Sequence, residues 1–143
     1  TILIVLLSII ALVCMGYVGL NGFAKMIYDE RSCEWANIDH LELHARIDIP
    51  AIINSDCSFD SDVKTKIATF DLDLKKLDLK NYLVQNQFKK LTDPTLLNTD
   101  YLKKFTSSNN SLYYKKTSTD VSSSEVLLDS KTGKLHLVIR YHT

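Results

Sequence analysis

The chain has 143 residues, 45% of them hydrophobic, with 17 basic and 17 acidic residues and a net charge of zero. Its lysines come as scattered pairs, 75–76, 89–90, 103–104 and 115–116, and not as a basic block. That excludes an electrostatic nucleic-acid surface and reads as a solvated exterior.

The charge is unevenly placed, because residues 1–24 carry none of it. TILIVLLSIIALVCMGYVGL is a nearly unbroken apolar run, and about twenty helical residues span roughly 30 Å, the thickness of a bilayer core. The pattern predicts a single-pass transmembrane helix over 1–24 in contact with the lipid bilayer. Gly16, Gly19 and Gly22 share one side at helical spacing and are the candidate helix-packing residues. The rival is a cleavable signal peptide, with Gly22 and Ala24 as a small-residue cleavage site. The run exceeds the roughly 7–15 residues such peptides use. Cys14 follows Leu12 and Val13, which lack the smallness of a lipid-attachment signal, and reads as a membrane cysteine. The sequence opens on Thr1, so flanking charge does not orient the span.

Cysteines orient it instead. Cys33 and Cys57 are the two outside the apolar run, and they predict one disulfide. Closing that loop stabilises by roughly 3–4 kcal/mol on chain-entropy grounds. No CxxC is present, so redox catalysis and zinc binding both lack their spacing. A disulfide places the body in the periplasm or outside the cell.

Residues 25–37 read as a juxtamembrane connector and 38–143 as an extracytoplasmic domain. Leu41, Leu43, Ala45, Ile47 and Ile49 alternate with His40, Glu42, His44, Arg46 and Asp48, which predicts a half-buried first strand. The segment NSDCSFDSD reads as a polar loop. Ala68, Phe70, Leu72 and Leu74 alternate with Thr69, Asp71 and Asp73, a second strand. Asp78 is a helix N-cap candidate, and Lys89–Lys90 suit that helix's C-terminal end. Asp93-Pro94 starts another helix, with Leu97, Tyr101 and Phe105 on one side.

TSSNNS reads as a loop and contains the sequon Asn109-Asn110-Ser111. Leu112 to Lys116 is a third strand. A final hairpin turns at Gly133, with Leu135, Leu137, Ile139 and Tyr141 facing inward. His136, Val138, Arg140 and His142 take its other, partly covered face. The expected class is α+β: an N-terminal transmembrane helix, then a small antiparallel sheet of about five strands packed by two helices.

Four constellations bear on chemistry. His40-Leu41-Glu42-Leu43-His44 invites a metal reading: on a helix Glu42 turns away from the histidines, whereas on a strand all three share one face, a feasible metal geometry that is equally a wet face continuing through Arg46 and Asp48. The metalloprotease spacing is also absent. We therefore read it as a wet face, with no metal and no cofactor. The acidic group Asp60, Asp62, Asp71, Asp73 and Asp78 lacks the spacing of a calcium loop. No serine sits in a nucleophile elbow, and no glycine-rich phosphate loop exists. These observations predict a non-enzyme without an evident small-molecule substrate.

The expected role is a membrane-anchored binding module that recognises a protein at the membrane surface, such as an immunity protein against an envelope-acting toxin. The expected binding surface is His40, Glu42, His44, Arg46, Asp48, Asp71 and Asp73. Two alternatives are a structural subunit of an envelope complex, including a pilin-like one, and a small envelope hydrolase.

Overall fold

The computed structural model describes the backbone of residues 2–27, 33, 35–106 and 111–142, and the side chains of all of these except 2–7, 23–27, 35 and 36. Helix α1 (Ile2–Ile27) is followed by α2 (Trp35–Ala45), β1 (Ile52–Asp60), β2 (Thr65–Leu72), α3 (Leu79–Gln85) and β3 (Lys89–Lys90). A 3-10 turn (Pro94–Leu96), α4 (Asp100–Lys103), β4 (Leu112–Ser118), β5 (Ser122–Asp129) and β6 (Lys134–Tyr141) complete the chain. The class is α+β, as expected. The sheet has six strands in the order β1-β2-β6-β5-β4-β3, and every neighbouring pair is antiparallel.

Both faces of the sheet are covered. Alternation along β2, β5 and β6 sends Phe70, Leu72, Val126, Leu128, Leu135, Leu137 and Ile139 to the first face. There they meet Leu41 and Ala45 of α2, Ile47, Ile49, and Tyr82 of α3. The second face carries Leu112, Leu127 and Val138 against Leu97 and Leu102. Two-sided burial explains why β5 reads as a continuous apolar run from Val126 to Leu128.

The first predicted strand is a correction, because His40 to Ala45 belong to α2. Periods of two and of 3.6 both place residues four apart on one side, so Leu41 and Ala45 satisfy either. Leu43 decides between them: it is 75% exposed, while Asn37, Leu41 and Ala45 are buried at helical spacing. The helix stops at Arg46, whose φ of 52° is left-handed, and the Ile47 N–H donates to the Glu42 carbonyl. This is a Schellman closure without the glycine that announces one.

Beyond it, Ile47–Ile49 alternates as predicted, held by side chains instead of a neighbouring strand. Glu42 Oε1 accepts from Ile49 N at 2.6 Å, Asn86 Oδ1 accepts from Asp48 N at 2.8 Å, and the Tyr82 hydroxyl donates to Asp48 O at 2.6 Å.

The expected polar loop at NSDCSFDSD is the second correction, since it lies mostly in β1. This edge strand pairs with β2 along its length, with an irregularity between Ile52 and Asn54. A polar edge strand has no apolar face to reveal its period, and its polarity discourages pairing with other chains. Cys57 sits in its middle and is bonded to Cys33, with Cα atoms 5.6 Å apart.

The Asp78 cap is as expected: its Oδ1 accepts from Asn81 N at 3.2 Å. Lys89–Lys90 does not end α3 but forms β3. The helix expected from Asp93-Pro94 is a 3-10 turn, with α4 beginning separately after Thr99. Gly133 turns the final hairpin at φ 77°, where a Cβ would lie 2.6 Å from the Leu72 carbonyl oxygen.

Helix α1 stands apart from the sheet. Every side chain from 8 to 22 is exposed, and the large apolar ones range from 53% at Ile9 to 71% at Leu20. A Cβ added at Gly16, Gly19 or Gly22 meets nothing within 4 Å, so among the described residues no helix packs on that side. Among the described residues no helix is long and apolar enough to cross a membrane. The sequon residues Asn109 and Asn110 lie outside the described residues.

Candidate functional site

The residues predicted as one binding surface are dispersed by the fold. Helix α2 turns His40 and His44 toward the sheet, while Glu42 is spent on the backbone N–H of Ile49. Arg46 and Asp48 are exposed beyond the helix end. Asp71 belongs to the second face of β2 and pairs with Lys134 at 2.7 Å. Asp73 shapes the turn after β2, where its Oδ1 accepts from Lys75 N, and Lys76 lies 3.5 Å away. A strand would have aligned the first five residues; a helix and its exit loop spread them apart.

At the junction of α2 with the sheet, His44 Nδ1 lies 2.6 Å from Ser122 Oγ, and His44 Nε2 lies 3.1 Å from His40 Nε2. The Tyr141 ring covers both, stacked on His40 and edge-on to His44. Burial first, then the charges of His44 and Lys66, hold His40 down at about 4. Burial also lowers His44. Both are therefore neutral at pH 7. Glu42 is raised, mainly by burial, against the lowering effect of the Ile49 N–H.

On the second face His136 is buried under the Phe105 ring, centroids 3.8 Å apart, and its Nδ1 lies 3.1 Å from Thr69 Oγ1. Burial, and then Lys134, lower it to about 4, against Asp71 and Asp129. Its native value lies below its unfolded one, so the unfolded chain binds the extra proton between about pH 6.5 and 4. Stability is then full above pH 6.5 and is lost as pH falls through that window. After discounting for solvent screening, His136→Gln should remove about 1–2 kcal/mol of the stability difference between pH 7.5 and 4.5. Denaturant titrations at the two pH values check this; an unchanged difference rules it out.

Among the described residues a concave strip lies along β4. A hollow of about 310 Å³ is lined by Asn98, Thr99, Lys116, Thr117, Ser118, Glu125 and Arg140, among others. Two more, of about 340 and 370 Å³, adjoin it through Lys116 and add Gln87, Lys89, Lys115 and Arg46. Among the described lining residues Arg46, Lys89, Lys115, Lys116 and Arg140 are cationic and Glu125 alone is acidic.

Strand β3 pairs with β4 at Tyr113 and Tyr114, which leaves the end from Lys115 to Ser118 as a sheet edge. Lys115 Nζ donates to the Arg46 carbonyl. Burial, and then the Arg46 charge, hold its ammonium below the usual lysine range.

Glu125 is the fixed point of this strip. It is 8% exposed and lies 3.1 Å from Lys116 Nζ. It accepts from Asn98 N and Thr99 N at 2.8 Å each, and from the Thr99 hydroxyl. Burial would raise its carboxyl, but these donors outweigh it and the net shift is downward.

Sequence reasoning predicted Arg46 as a binding residue and missed the others. The paired lysines were visible, but Arg46, Lys89 and Lys115 meet only because α2 and β3 end beside β4. No protein-family model matches this chain, and no curated protein and no solved structure matches it either.

Proposed function

We propose that the chain is a membrane-tethered protein-binding module, with α1 seated in lipid and the cationic strip along β4 receiving an acidic protein surface. The observation that carries the tether is α1 itself: fifteen consecutive positions, residues 8–22, expose their side chains on every side of the helix. Such a helix is stable in an apolar medium and costly in water. The strip supplies concavity, several cations and polar Gln, Ser and Thr side chains on one side of the domain. Tethering raises the local concentration of the module at the membrane surface without any new contact. The disulfide supports a domain facing an oxidising compartment.

Affinity capture of the detergent-solubilised full chain tests this reading. The expected result is a protein partner whose recovery falls at least about tenfold when Arg46→Glu and Lys89→Glu are combined, since like charges across an interface cost several kcal/mol. Both side chains are exposed, so the fold should persist. One-to-one recovery of a soluble toxin would make the module an inhibitor, whereas several membrane proteins would make it a complex subunit. Recovery indifferent to the two reversals would remove the strip from the interface. Release of the intact chain into the aqueous fraction by carbonate would remove the tether.

A further inference from the structure

The paired histidines of α2 have a geometry that the binding role does not use. His40 and His44 lie one helical turn apart, and their Nε2 atoms approach to 3.1 Å. Two imidazole nitrogens bound to one ion at 2.0–2.1 Å lie roughly 2.9–3.4 Å apart, from right-angle to tetrahedral geometry. The pair already stands at ligand separation. Ser122 Oγ lies 2.6 Å from His44 Nδ1, and Thr119 Oγ1 lies 3.4 Å from the same hydroxyl. An outer hydroxyl accepting the Nδ1–H turns the Nε2 lone pair toward its neighbour, the usual second partner of a metal-bound imidazole.

We propose that His40 and His44 bind one divalent transition-metal ion of the nitrogen-preferring kind, such as Zn²⁺, Ni²⁺ or Cu²⁺, through their Nε2 atoms. In the ion-free chain a single proton is shared between the two nitrogens. The ion takes its place, and His40 moves that proton from Nε2 to Nδ1, so no proton is gained or lost in the step.

Glu42 is directed elsewhere, its Oε1 held on Ile49 N at 2.6 Å. Among the described residues no group of three or more His, Cys, Asp or Glu side chains is placed to hold a metal. The ion therefore has two protein ligands and completes its shell with water, which sets the affinity near micromolar instead of nanomolar. The bound ion would staple the last turns of α2, the element between α1 and the sheet.

Titration of the chelator-stripped full chain with Zn²⁺ and with Ni²⁺ tests the site by calorimetry. The expected result is one ion per chain with a dissociation constant of about 1–30 μM. His40→Ala or His44→Ala should weaken it at least tenfold, while His142→Ala should leave it unchanged. Paramagnetic broadening by Ni²⁺ of the His40 and His44 ring signals in the unsubstituted chain reads the same site, whether or not the variants fold. Absence of one-to-one binding tighter than about 100 μM would overturn the proposal. So would broadening that spares both rings.

Discussion

Replacing Glu125 by alanine should destabilise the domain by about 2–4 kcal/mol, because this buried carboxylate is the acceptor for two buried donors of Thr99 that would lose their partner. The carboxylate collects two backbone N–H groups, the Thr99 hydroxyl and the Lys116 ammonium. Thr99 is the N-cap of α4 but makes no cap hydrogen bond with its own side chain. Glu125 reaches across from β5 and accepts from the N–H groups of Asn98 and Thr99, which fixes the segment entering α4. Alanine would leave each donor without its acceptor, at roughly 1–3 kcal/mol for each that stays buried.

Glu125→Gln keeps one acceptor oxygen and the shape, and should cost about half as much. Urea denaturation measures both. Hydrogen exchange should show residues 97–103 opening first in the alanine variant. Equal stability of the alanine variant and the parent would mean that water replaces the carboxylate without loss.

The second large effect concerns the bridge between Cys33 and Cys57. The two are 24 residues apart in sequence, and closing a loop of that length stabilises by about 3–4 kcal/mol through the unfolded state. Cys33→Ser combined with Cys57→Ser should lower Tm by about 10–20 °C for a domain of this size. The loss should concentrate on the edge strand β1, because the bridge ties its middle to the segment preceding α2. Protection of the β1 amides from exchange, measured with and without reductant, checks the location. If Tm is unmoved, β1 is held by its pairing with β2 alone.

Local chemistry made much of the fold legible. The alternation of Ala68, Phe70 and Leu72 marked β2, and Gly133 marked the final hairpin. Asp78 marked the start of α3, and the cysteine count marked the bridge. These signals work because each depends on neighbours within a few residues. The segment 40–49 misled for a physical reason. A polar–apolar alternation and a helical stripe coincide at every fourth residue, and Leu43 lies on the apolar side of the first pattern but in water on the actual helix. The helix end was equally hidden, since Arg46 adopts the left-handed conformation that glycine usually marks. Strand β1 was invisible because edge strands are selected for polarity rather than for an apolar face.

The candidate sites divide along the same line. The His40–His44 spacing could be read from the sequence, but its meaning depended on α2 being a helix that faces Ser122 and Tyr141. The cationic strip combines Arg46, Lys89 and Lys115, which no local pattern connects. Glu125 belongs to no local motif, and only the pairing of β5 sets it beside the segment entering α4.

By itself the sequence determined the apolar N-terminal helix, the α+β class, the disulfide pair and the final hairpin. Each follows from composition or from short-range periodicity. The tertiary structure decided the helical state of residues 40–45, the cover on both faces of the sheet, the pairing of β1 as an edge, and the company each charged side chain keeps. Those outcomes turn on burial, and burial is settled by contacts between residues far apart in the chain.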